Sequence, residues 1–313
     1  MTDEPGQEPG QPPAGLSWGE LVQGLVDEHG TLTAVAWKLI EHGDDVASIE
    51  RALRRLRGRG QLDGGVWGQR LLRVFGVPKS IEARLRWMGL YHSPFNDLPL
   101  PLCLDQLRLW DRPPISESRA RVWLSLGHAS CALRQQQFEV AREHVAQVHG
   151  DDAARIEAQL IGAYIASRLD GNADSLLAAI SVPDTLAPDD RACFEARLTD
   201  QRAYQLNKRG DHARALTMYE ALPDADVHPF ASYRRDAGRA WGQFRAGNTA
   251  RAIELAHRAC EHAGDGGYTR LRAMGLLLLA KIGAPGDYVT RARAIALRLD
   301  DRELLARATL AGA

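Results

Sequence analysis

Two stretches of this chain, Gly210–Pro223 (GDHARALTMYEALP) and Gly247–Ala259 (GNTARAIELAHRA), follow one pattern. In each, an alanine stands five residues after the glycine, and apolar or small residues stand nine and twelve residues after it. This spacing places those residues on one face of a helix. A glycine before such a helix adopts the left-handed backbone that commonly ends a preceding helix. The pattern therefore predicts pairs of helices joined at a glycine.

The pattern recurs along the C-terminal two-thirds of the chain. The glycines that mark it have spacings of 39, 37 and 39 residues, and they are Gly171, Gly210, Gly247 and Gly286. Small residues, Ala203 and Ala240, stand seven residues before two of these glycines, where two helices would approach closely. One helical hairpin cannot bury its own apolar face, so neighbouring hairpins must stack. We predict a degenerate array of about five helix pairs over residues 116–300.

The best unit, Ala203–Pro223, resembles the tetratricopeptide (TPR) repeat family in its glycine, alanine, aromatic and proline positions. Trp123–Gly127 resembles the opening of a first helix, although that unit lacks the turn glycine, and the Gly171 unit has Leu176 where alanine is usual. The resemblance implies an all-α fold with a TPR-like α-solenoid over residues 116–313. The alternative is an irregular helical bundle in which the glycine spacing arises by chance.

In the TPR family, the first helices of the units line a concave groove that holds peptides. Carried over to the two best-aligned units, this resemblance implies a peptide- or protein-binding lining of Arg197, Tyr204, Asn207, Lys208, Arg234, Trp241, Phe244 and Arg245. Arginine and lysine pair with carboxylates, and planar rings offer a large contact area. We therefore expect an acidic or C-terminal peptide segment as the partner. Alternatively, Trp241 and Phe244 are core residues between neighbouring units.

Charge divides the N-terminal part of the chain sharply. Residues 1–45 contain nine acidic residues and one base, whereas residues 46–90 contain ten bases and three acids, in a protein whose net charge is −1. A basic segment within a neutral protein is a local electrostatic signal for a polyanionic partner. Ser17, Thr31 or Thr33, and Asp44 or Asp45 are candidate N-caps of three short helices in this region.

The stretch Ser48–Gly58 (SIERALRRLRG) resembles the recognition helix of helix-turn-helix and winged-helix DNA-binding families. The resemblance implies double-stranded DNA as a partner, and arginine is suited to pairing with phosphates and guanine edges. The implied DNA-binding residues are Ser48, Arg51, Arg54, Arg55, Arg57 and Arg59. After Gly60 the sequence favours another helix over a two-stranded wing. The alternatives are a solvated basic face and a basic surface that docks on the acidic first 45 residues.

These patterns predict four regions. Residues 1–15 are expected to be a disordered tail without a signal peptide, and residues 16–91 a helix-turn-helix-like helical domain. Residues 92–115 contain five prolines and are expected to form a packed connector with one helix, before the array at 116–313. The aromatic and basic segment Arg84–Phe95 suits either stacking on single-stranded nucleic acid or packing between the two domains.

No catalytic motif stands out in the sequence. Phosphate-binding, zinc-protease and serine-hydrolase signatures are absent, and the four scattered cysteines include no CxxC pair, so we predict no enzyme, metal or cofactor. The longest apolar run is too short to span a bilayer. The scattered cysteines suit buried, reduced thiols in a cytoplasmic protein. Two hypotheses remain. The first is a regulator with a DNA-binding head and a peptide-sensing array, which is similar in layout to bacterial peptide-sensing repressors and could form a homodimer. The second is an adaptor that binds only proteins.

Overall fold

A computed structural model of the chain describes residues 15–41, 43–58, 63–224 and 228–312. These residues form seventeen α-helices and two short 3-10 helices, and none of them lies in a β-strand. The predicted all-α class is confirmed. The region expected to be a disordered tail lies outside the described residues except for Gly15.

The first six helices cover the N-terminal third of the chain. They are α1 (Trp18–His29), α2 (Leu32–Lys38), α3 (Val46–Gly58), α4 (Gly65–Val74), α5 (Lys79–Gly89) and α6 (Leu100–Trp110). Ser17 caps α1 in a full capping box with Glu20, and Thr31 caps α2. Of the two candidate aspartates before α3, Asp45 accepts the hydrogen bond from the backbone N–H of Ser48 at 3.0 Å. The helix predicted after Gly60 is α4.

The remaining helices run from residue 121 to residue 312. They are α7 (Arg121–Arg134), α8 (Phe138–Ala146), α9 (Asp152–Leu169), α10 (Asp174–Ala178), α11 (Pro188–Lys208), α12 (His212–Glu220), α13 (Pro229–Arg245), α14 (Thr249–Asp265), α15 (Thr269–Lys281), α16 (Tyr288–Leu299) and α17 (Arg302–Gly312). Consecutive helices pack on one another from α11 to α17, and α9, α11, α13 and α15 also contact each other in succession.

Contacts between residues divide the chain into two compact units. Unit 1 extends to Leu85 and also includes Asp105–Leu124, whereas unit 2 comprises Arg86–Leu104 and Ser125–Ala313. The division differs from the predicted boundaries at residues 91 and 115, because it falls inside α5, α6 and α7. The segment 86–104, which the sequence divides between a domain and a connector, therefore belongs with the C-terminal helices.

The turns between paired helices of unit 2 share one backbone device. A residue with positive φ ends the first helix of each pair, and the five residues are Gln136, Gly171, Gly210, Gly247 and Gly283. After four of them the next residue donates its N–H to a carbonyl five residues back; Ala284 N to Leu279 O at 3.0 Å is one example. This is the Schellman arrangement that commonly terminates a helix. We call these five residues the turn residues.

The turn residues correct the sequence-based repeat at two points. Gly283, not Gly286, closes the turn after α15, so the last spacing is 36 residues and Ala284–Gly286 lengthen the connection to α16. In the first pair Gln136 adopts φ 60° at the position where the glycine is missing. A helical hairpin thus forms there although its sequence signal is absent.

Small residues allow helices to approach closely, both within a pair and between neighbouring pairs. Ala203 and Ala240 are fully buried, as their position before the turn predicts. Gly238 of α13 lies against the ring of Tyr219 on α12, where an added Cβ would stand 2.1 Å from a ring carbon. Side chains larger than hydrogen at this position would push the two helices apart.

The four cysteines are free, and three of them, Cys103, Cys131 and Cys193, are buried, while Cys260 is partly buried. Within the described residues, no helix combines the length and the apolar character needed to cross a membrane.

Candidate functional site

Three arginines of unit 2 occupy one register. Arg197 of α11, Arg234 of α13 and Arg270 of α15 each stand 13 residues before the turn residue of their pair. Positions 13, 6 and 2 before the turn lie on one face of a helix, because seven and eleven residues correspond to nearly whole numbers of turns. We call this common side of α9, α11, α13 and α15 the first-helix face.

The three arginines are buried and have carboxylate partners. Arg197 donates to Glu157 of α9 at 2.7 Å, and Glu157 has no exposed surface. Arg234 donates to Asp200 of α11 at 2.7 Å. The pairs connect adjacent first helices, so each arginine is neutralised inside the protein. Two residues predicted to bind a peptide, Arg197 and Arg234, therefore have their charges already paired.

Arg270 forms the third member of this network. Its guanidinium donates to Asp301 at 2.6 Å and to Glu303 at 2.5 Å. Burial alone would raise the pKa of Glu303, but the charges of Arg307 and Arg270 outweigh it and lower that pKa to about 2. Glu303 is consequently ionised across the physiological range, and it also accepts a hydrogen bond from Tyr164 of α9.

The three arginines surround one aromatic side chain, Tyr91. The guanidinium carbon of Arg197 lies 4.4 Å from the centre of the Tyr91 ring, and those of Arg234 and Arg270 lie at 5.9 and 5.8 Å. Arg270 Nη1 donates to the Tyr91 hydroxyl at 2.6 Å, and the Tyr91 backbone N–H donates to Glu157 at 3.3 Å. Arginine over an aromatic face is a favourable cation–π geometry. The register therefore holds Tyr91 by its ring, its hydroxyl and its backbone.

Tyr91 belongs to a non-α-helical segment, residues 90–99, that links α5 to α6 and that we call the resident segment. Its His92 carbonyl accepts from the hydroxyl of Tyr268 at 2.9 Å, and its Asp97 carboxylate accepts from the Arg270 backbone N–H at 2.5 Å. His92 Nε2 lies 3.0 Å from Asp190 of α11. The hydrogen bond with His92 is the main reason that the pKa of Asp190 is lowered. Unit 2 thus binds a short segment of its own chain that is built from turns and the 3-10 helix Pro94–Asp97.

The part of the first-helix face nearer the turns carries a different set of side chains. At six residues before the turn stand Tyr204, which is 46% exposed, and Trp241, which is partly buried. At two residues before the turn stand the exposed cations Lys208, Arg245 and Lys281. Lys281 Nζ lies 4.2 Å from the centre of the Trp241 ring, so the side chains of α13 and α15 meet on this face. We call these five residues the aromatic–cation strip.

The other two predicted lining residues have local partners. Asn207 Oδ1 lies 2.8 Å from His212 Nδ1 across the turn after α11. Phe244 packs with Trp241, at 5.6 Å between ring centres, against the apolar core formed by α13–α17. Both rings therefore contribute to the core, and they do so beside the exposed cations.

An open hollow is formed by α9 together with α8 and α10. Its volume is about 350 Å³, and it is lined by Arg142, Val145, Gly162, Ile165, Ala166, Asp170 and Leu176. Ile165 occupies the position six residues before the turn, which corresponds to Tyr204 and Trp241. Leu176, on the short helix α10, is 48% exposed at the rim. The repeat pattern predicts a longer second helix at this position, whereas α10 has only five residues. The sequence therefore gives no sign of the hollow.

The residues predicted to bind DNA lie on α3 of unit 1. Arg51, Arg54, Arg55 and Arg57 are exposed. Arg54 pairs with Glu50 at 2.7 Å, and Arg51 donates to the hydroxyl of Ser48 at 2.9 Å. Arg59 lies outside the described residues.

Ion pairs to the acidic N-terminal region come from α4, whereas Arg57 of α3 reaches that region through a hydrogen bond of 3.4 Å to the side-chain oxygen of Gln23. Arg70 of α4 is buried, and it pairs with Asp44 at 2.7 Å and with Glu41 at 3.3 Å. The hydrogen bond from Arg70 is the main reason that the pKa of Asp44 is lowered. The base that pairs with carboxylates of the acidic segment is therefore Arg70, which lies outside α3.

One cysteine and one histidine lie within hydrogen-bond distance, which the sequence did not indicate. Cys193 Sγ is 3.2 Å from His228 Nδ1. Burial raises the pKa of the Cys193 thiol far above its ordinary value, and burial together with His92 lowers the pKa of His228. The pair is therefore a neutral thiol and a neutral imidazole rather than an activated nucleophile. No group of three or more potential metal ligands occurs in the described part of the chain.

Comparisons with protein-family models, with curated proteins and with solved structures find no match to this chain.

Proposed function

We propose that this chain is a peptide-binding protein whose unit 2 is a TPR-like array, with the first-helix face as its binding surface. The observation that carries the proposal is the register of Arg197, Arg234 and Arg270 around Tyr91. Equivalent positions of three successive first helices hold one short segment that is not α-helical, and the first helices of a TPR array hold a peptide in a comparable way. On this proposal the protein is a cytoplasmic, non-enzymatic binding protein.

The resident segment occupies one part of the first-helix face and leaves the other part accessible to a partner. The buried arginines hold Tyr91, so a partner would contact the side chains that remain accessible, chiefly Tyr204, Lys208 and Arg245. Aromatic and cationic side chains next to one another are typical of energetically important binding positions. The TPR-like resemblance assigns the same face to peptide binding.

An unbiased peptide selection tests the proposal. Random decapeptides displayed on phage are selected on the immobilised full-length chain, and the enriched sequences are remade with a fluorescent label for anisotropy. We expect micromolar binding that Tyr204→Ala weakens at least about fivefold, since truncating an interface aromatic commonly costs 1 kcal/mol or more. The matched control is Leu297→Ala, which truncates a side chain on α16 that is 61% exposed. No enrichment, or equal losses in both variants, would overturn the proposal.

A second candidate function, DNA binding by unit 1, is favoured by the exposed arginines of α3. We propose that Arg51 and Arg55 contact the phosphate backbone, because neither pairs with a carboxylate within the described residues. Together with the array this would make the chain a regulator rather than an adaptor. Anisotropy of a random DNA duplex across a salt series tests it.

The expected result for DNA is binding that falls steeply with salt and is lost in Arg51→Glu/Arg55→Glu. The matched control is Arg293→Glu/Arg298→Glu, which makes the same change of net charge on α16. Absence of binding by the wild type at low salt would remove the DNA-binding candidate and leave the peptide-binding one.

A further inference from the structure

We infer that the open hollow formed by α8, α9 and α10 binds a small molecule that carries an aromatic ring and a primary ammonium group. We call this hollow the α9 hollow. The inference is independent of the proposed peptide binding, because it concerns a separate cavity and a cationic ligand. It follows from the side chains that meet where α8 packs on α9, and from the charge at the rim of the hollow.

Two equivalent positions meet where α12 packs on α13 and where α8 packs on α9. They stand nine residues after one turn residue and nine residues before the next. In α12 and α13 these positions are Tyr219 and Gly238, and the tyrosine ring fills the space over the glycine. In α8 and α9 they are Val145 and Gly162, which both line the α9 hollow. Because both residues are small, α8 and α9 leave open the space that a ring fills between α12 and α13.

The glycine in the floor of the α9 hollow is not required by packing. Gly238, Gly242 and Gly275, in α13 and α15, each have a side-chain atom at 2.7 Å or less from the place where a Cβ would stand. A Cβ at Gly162 would meet no atom within 4 Å beyond the backbone of its own helix. Glycine in a helix interior destabilises the helix relative to alanine. The effect of glycine at this position is to keep the hollow open.

The α9 hollow has the size and the lining of a small-molecule site. Its volume of about 350 Å³ falls near the lower end of the range for ligand pockets, roughly 300–1,000 Å³. The apolar part of its lining consists of Val145, Ile165, Ala166 and Leu176. Leu176 stands where α8, α12 and α14 carry alanine, five residues after the turn, and it is 48% exposed. A ring in the hollow would cover this apolar surface, which is favourable.

The rim of the α9 hollow carries a net negative charge. Arg142 and Glu139 lie 3.2 Å apart on α8 and neutralise each other. Asp170, which caps the C-terminal end of α9, lies within salt-bridge distance of no cation among the described residues. Lys208 Nζ donates to the carbonyl of Gly171 at 2.7 Å rather than to Asp170. A carboxylate at the negative end of a helix dipole favours a bound cation.

The end of α9 also offers a backbone acceptor. In the other four turns, the residue after the turn residue donates to a carbonyl five residues back. In the part of the chain that the structure describes, Asn172 makes no such bond to Ser167, one turn before Asp170. A primary ammonium group has three N–H donors, so it can bind a carboxylate and a carbonyl together. These acceptors favour a primary ammonium over a neutral or anionic group.

Three small probes of similar size test the class of ligand. Phenethylamine, 2-phenylethanol and 3-phenylpropanoate share the ring and differ in charge, and the amine is protonated at pH 7 as a lysine side chain is. Each is titrated against the full-length chain by saturation-transfer difference NMR. We expect the amine to bind with a dissociation constant of about 1 mM or below. It should bind at least about fivefold more tightly than the alcohol, from one ion pair at the rim, and the anion should bind most weakly.

Variants then locate the binding. Val145→Tyr places a ring at the position that Tyr219 occupies in α12, so it should fill the hollow and abolish binding of the amine. The matched control, Val140→Tyr, adds the same ring to α8 at a side chain that is 41% exposed and outside the lining, and it should keep binding. Asp170→Asn preserves the shape of the hollow and should make the amine and the alcohol bind equally.

Each outcome supports or overturns the inference. Equal binding of the amine and the alcohol to the wild type, or tighter binding of the anion, overturns the cationic ligand. Amine binding that Val145→Tyr and Asp170→Asn both retain overturns the site. Thermal unfolding verifies that the variants fold, and because Asp170 is exposed, its variant decides the question even if Val145→Tyr does not fold. No signal at about 10 mM amine, tenfold above the expected dissociation constant, overturns the inference and leaves the peptide-binding proposal unaffected.

Discussion

Tyr91→Phe removes one oxygen atom from the centre of the arginine register. The Tyr91 hydroxyl accepts a hydrogen bond of 2.6 Å from Arg270 Nη1, and the ring stays in contact with Arg197 in the variant. The substitution therefore deletes a charge-assisted hydrogen bond and leaves the cation–π contacts in place. It tests how firmly the resident segment is held.

The expected cost follows from the geometry. Hydrogen bonds to charged groups contribute about 1.5–3 kcal/mol, and the freed nitrogen of Arg270 lies in a buried network. Arg270 keeps its bonds to Asp301 and Glu303, so the loss should stay near the lower end of that range. We expect the free energy of unfolding of unit 2 to fall by about 1.5–2 kcal/mol.

Urea denaturation of the full-length chain, followed by far-UV circular dichroism, measures this loss. Because the chain has two compact units, the transition of unit 2 is assigned by its larger helical signal before the linear extrapolation. The matched control is Tyr204→Phe on the same face, whose hydroxyl has no hydrogen bond within the described residues. A change below about 0.5 kcal/mol in both variants would refute the reasoning about the resident segment.

Three further predictions concern stability. Burial raises the pKa of Asp97 to about 6 from about 3.8, so the folded chain binds an extra proton between these pH values and loses stability as the pH rises through 6. Asp97→Asn should flatten this pH dependence and raise the free energy of unfolding at pH 7 by ~1–3 kcal/mol. A urea midpoint of the wild type that stays unchanged between pH 4 and 7 would contradict the prediction. Gly238→Ala should destabilise the chain by about 1–3 kcal/mol, because the added Cβ would overlap the buried ring of Tyr219. In the control Gly264→Ala the added Cβ meets no atom within 4 Å, so this variant should be neutral or stabilising. Equal urea midpoints for the two variants would contradict the close approach of α12 and α13. Arg197→Met should lower the free energy of unfolding by about 3–5 kcal/mol, because it leaves Glu157 buried without its ion-pair partner. Adding Glu157→Gln to this variant should recover part of the loss, and thermal unfolding of the single and double variants measures both effects.

The regular part of the fold could be predicted from the sequence. Helical periodicity and the turn glycines predict the pairs α11/α12 and α13/α14. The prediction fails where a turn departs from the rule: Gln136 adopts a left-handed backbone that favours glycine, and the last connection is three residues longer than the repeat. Such exceptions depend on packing around the turn, which periodicity does not encode.

The sequence predicts that residues around Tyr91 are packed, but for a physical reason it does not predict which helices hold them. Tyr91 meets Arg270 across 179 positions of the chain, and no local pattern reports a contact of that range. One signal was present in the sequence: Arg197, Arg234 and Arg270 are 37 and 36 residues apart. Once Gly283 is taken as the last turn residue, each of these arginines stands 13 residues before the turn of its pair. The burial of the first two arginines and the exposure of Lys281 then follow from the packing.

A cross-linking measurement tests the central claim, peptide binding on the first-helix face, most directly. A peptide enriched in the phage selection is remade with a photoreactive benzophenone at its central residue and irradiated with the full-length chain, and the attached residues are mapped by mass spectrometry. We expect attachment within 204–208 and 241–245, and unlabelled peptide should reduce it by competition. Attachment confined to the second helices α12, α14 and α16, or to unit 1, would contradict it.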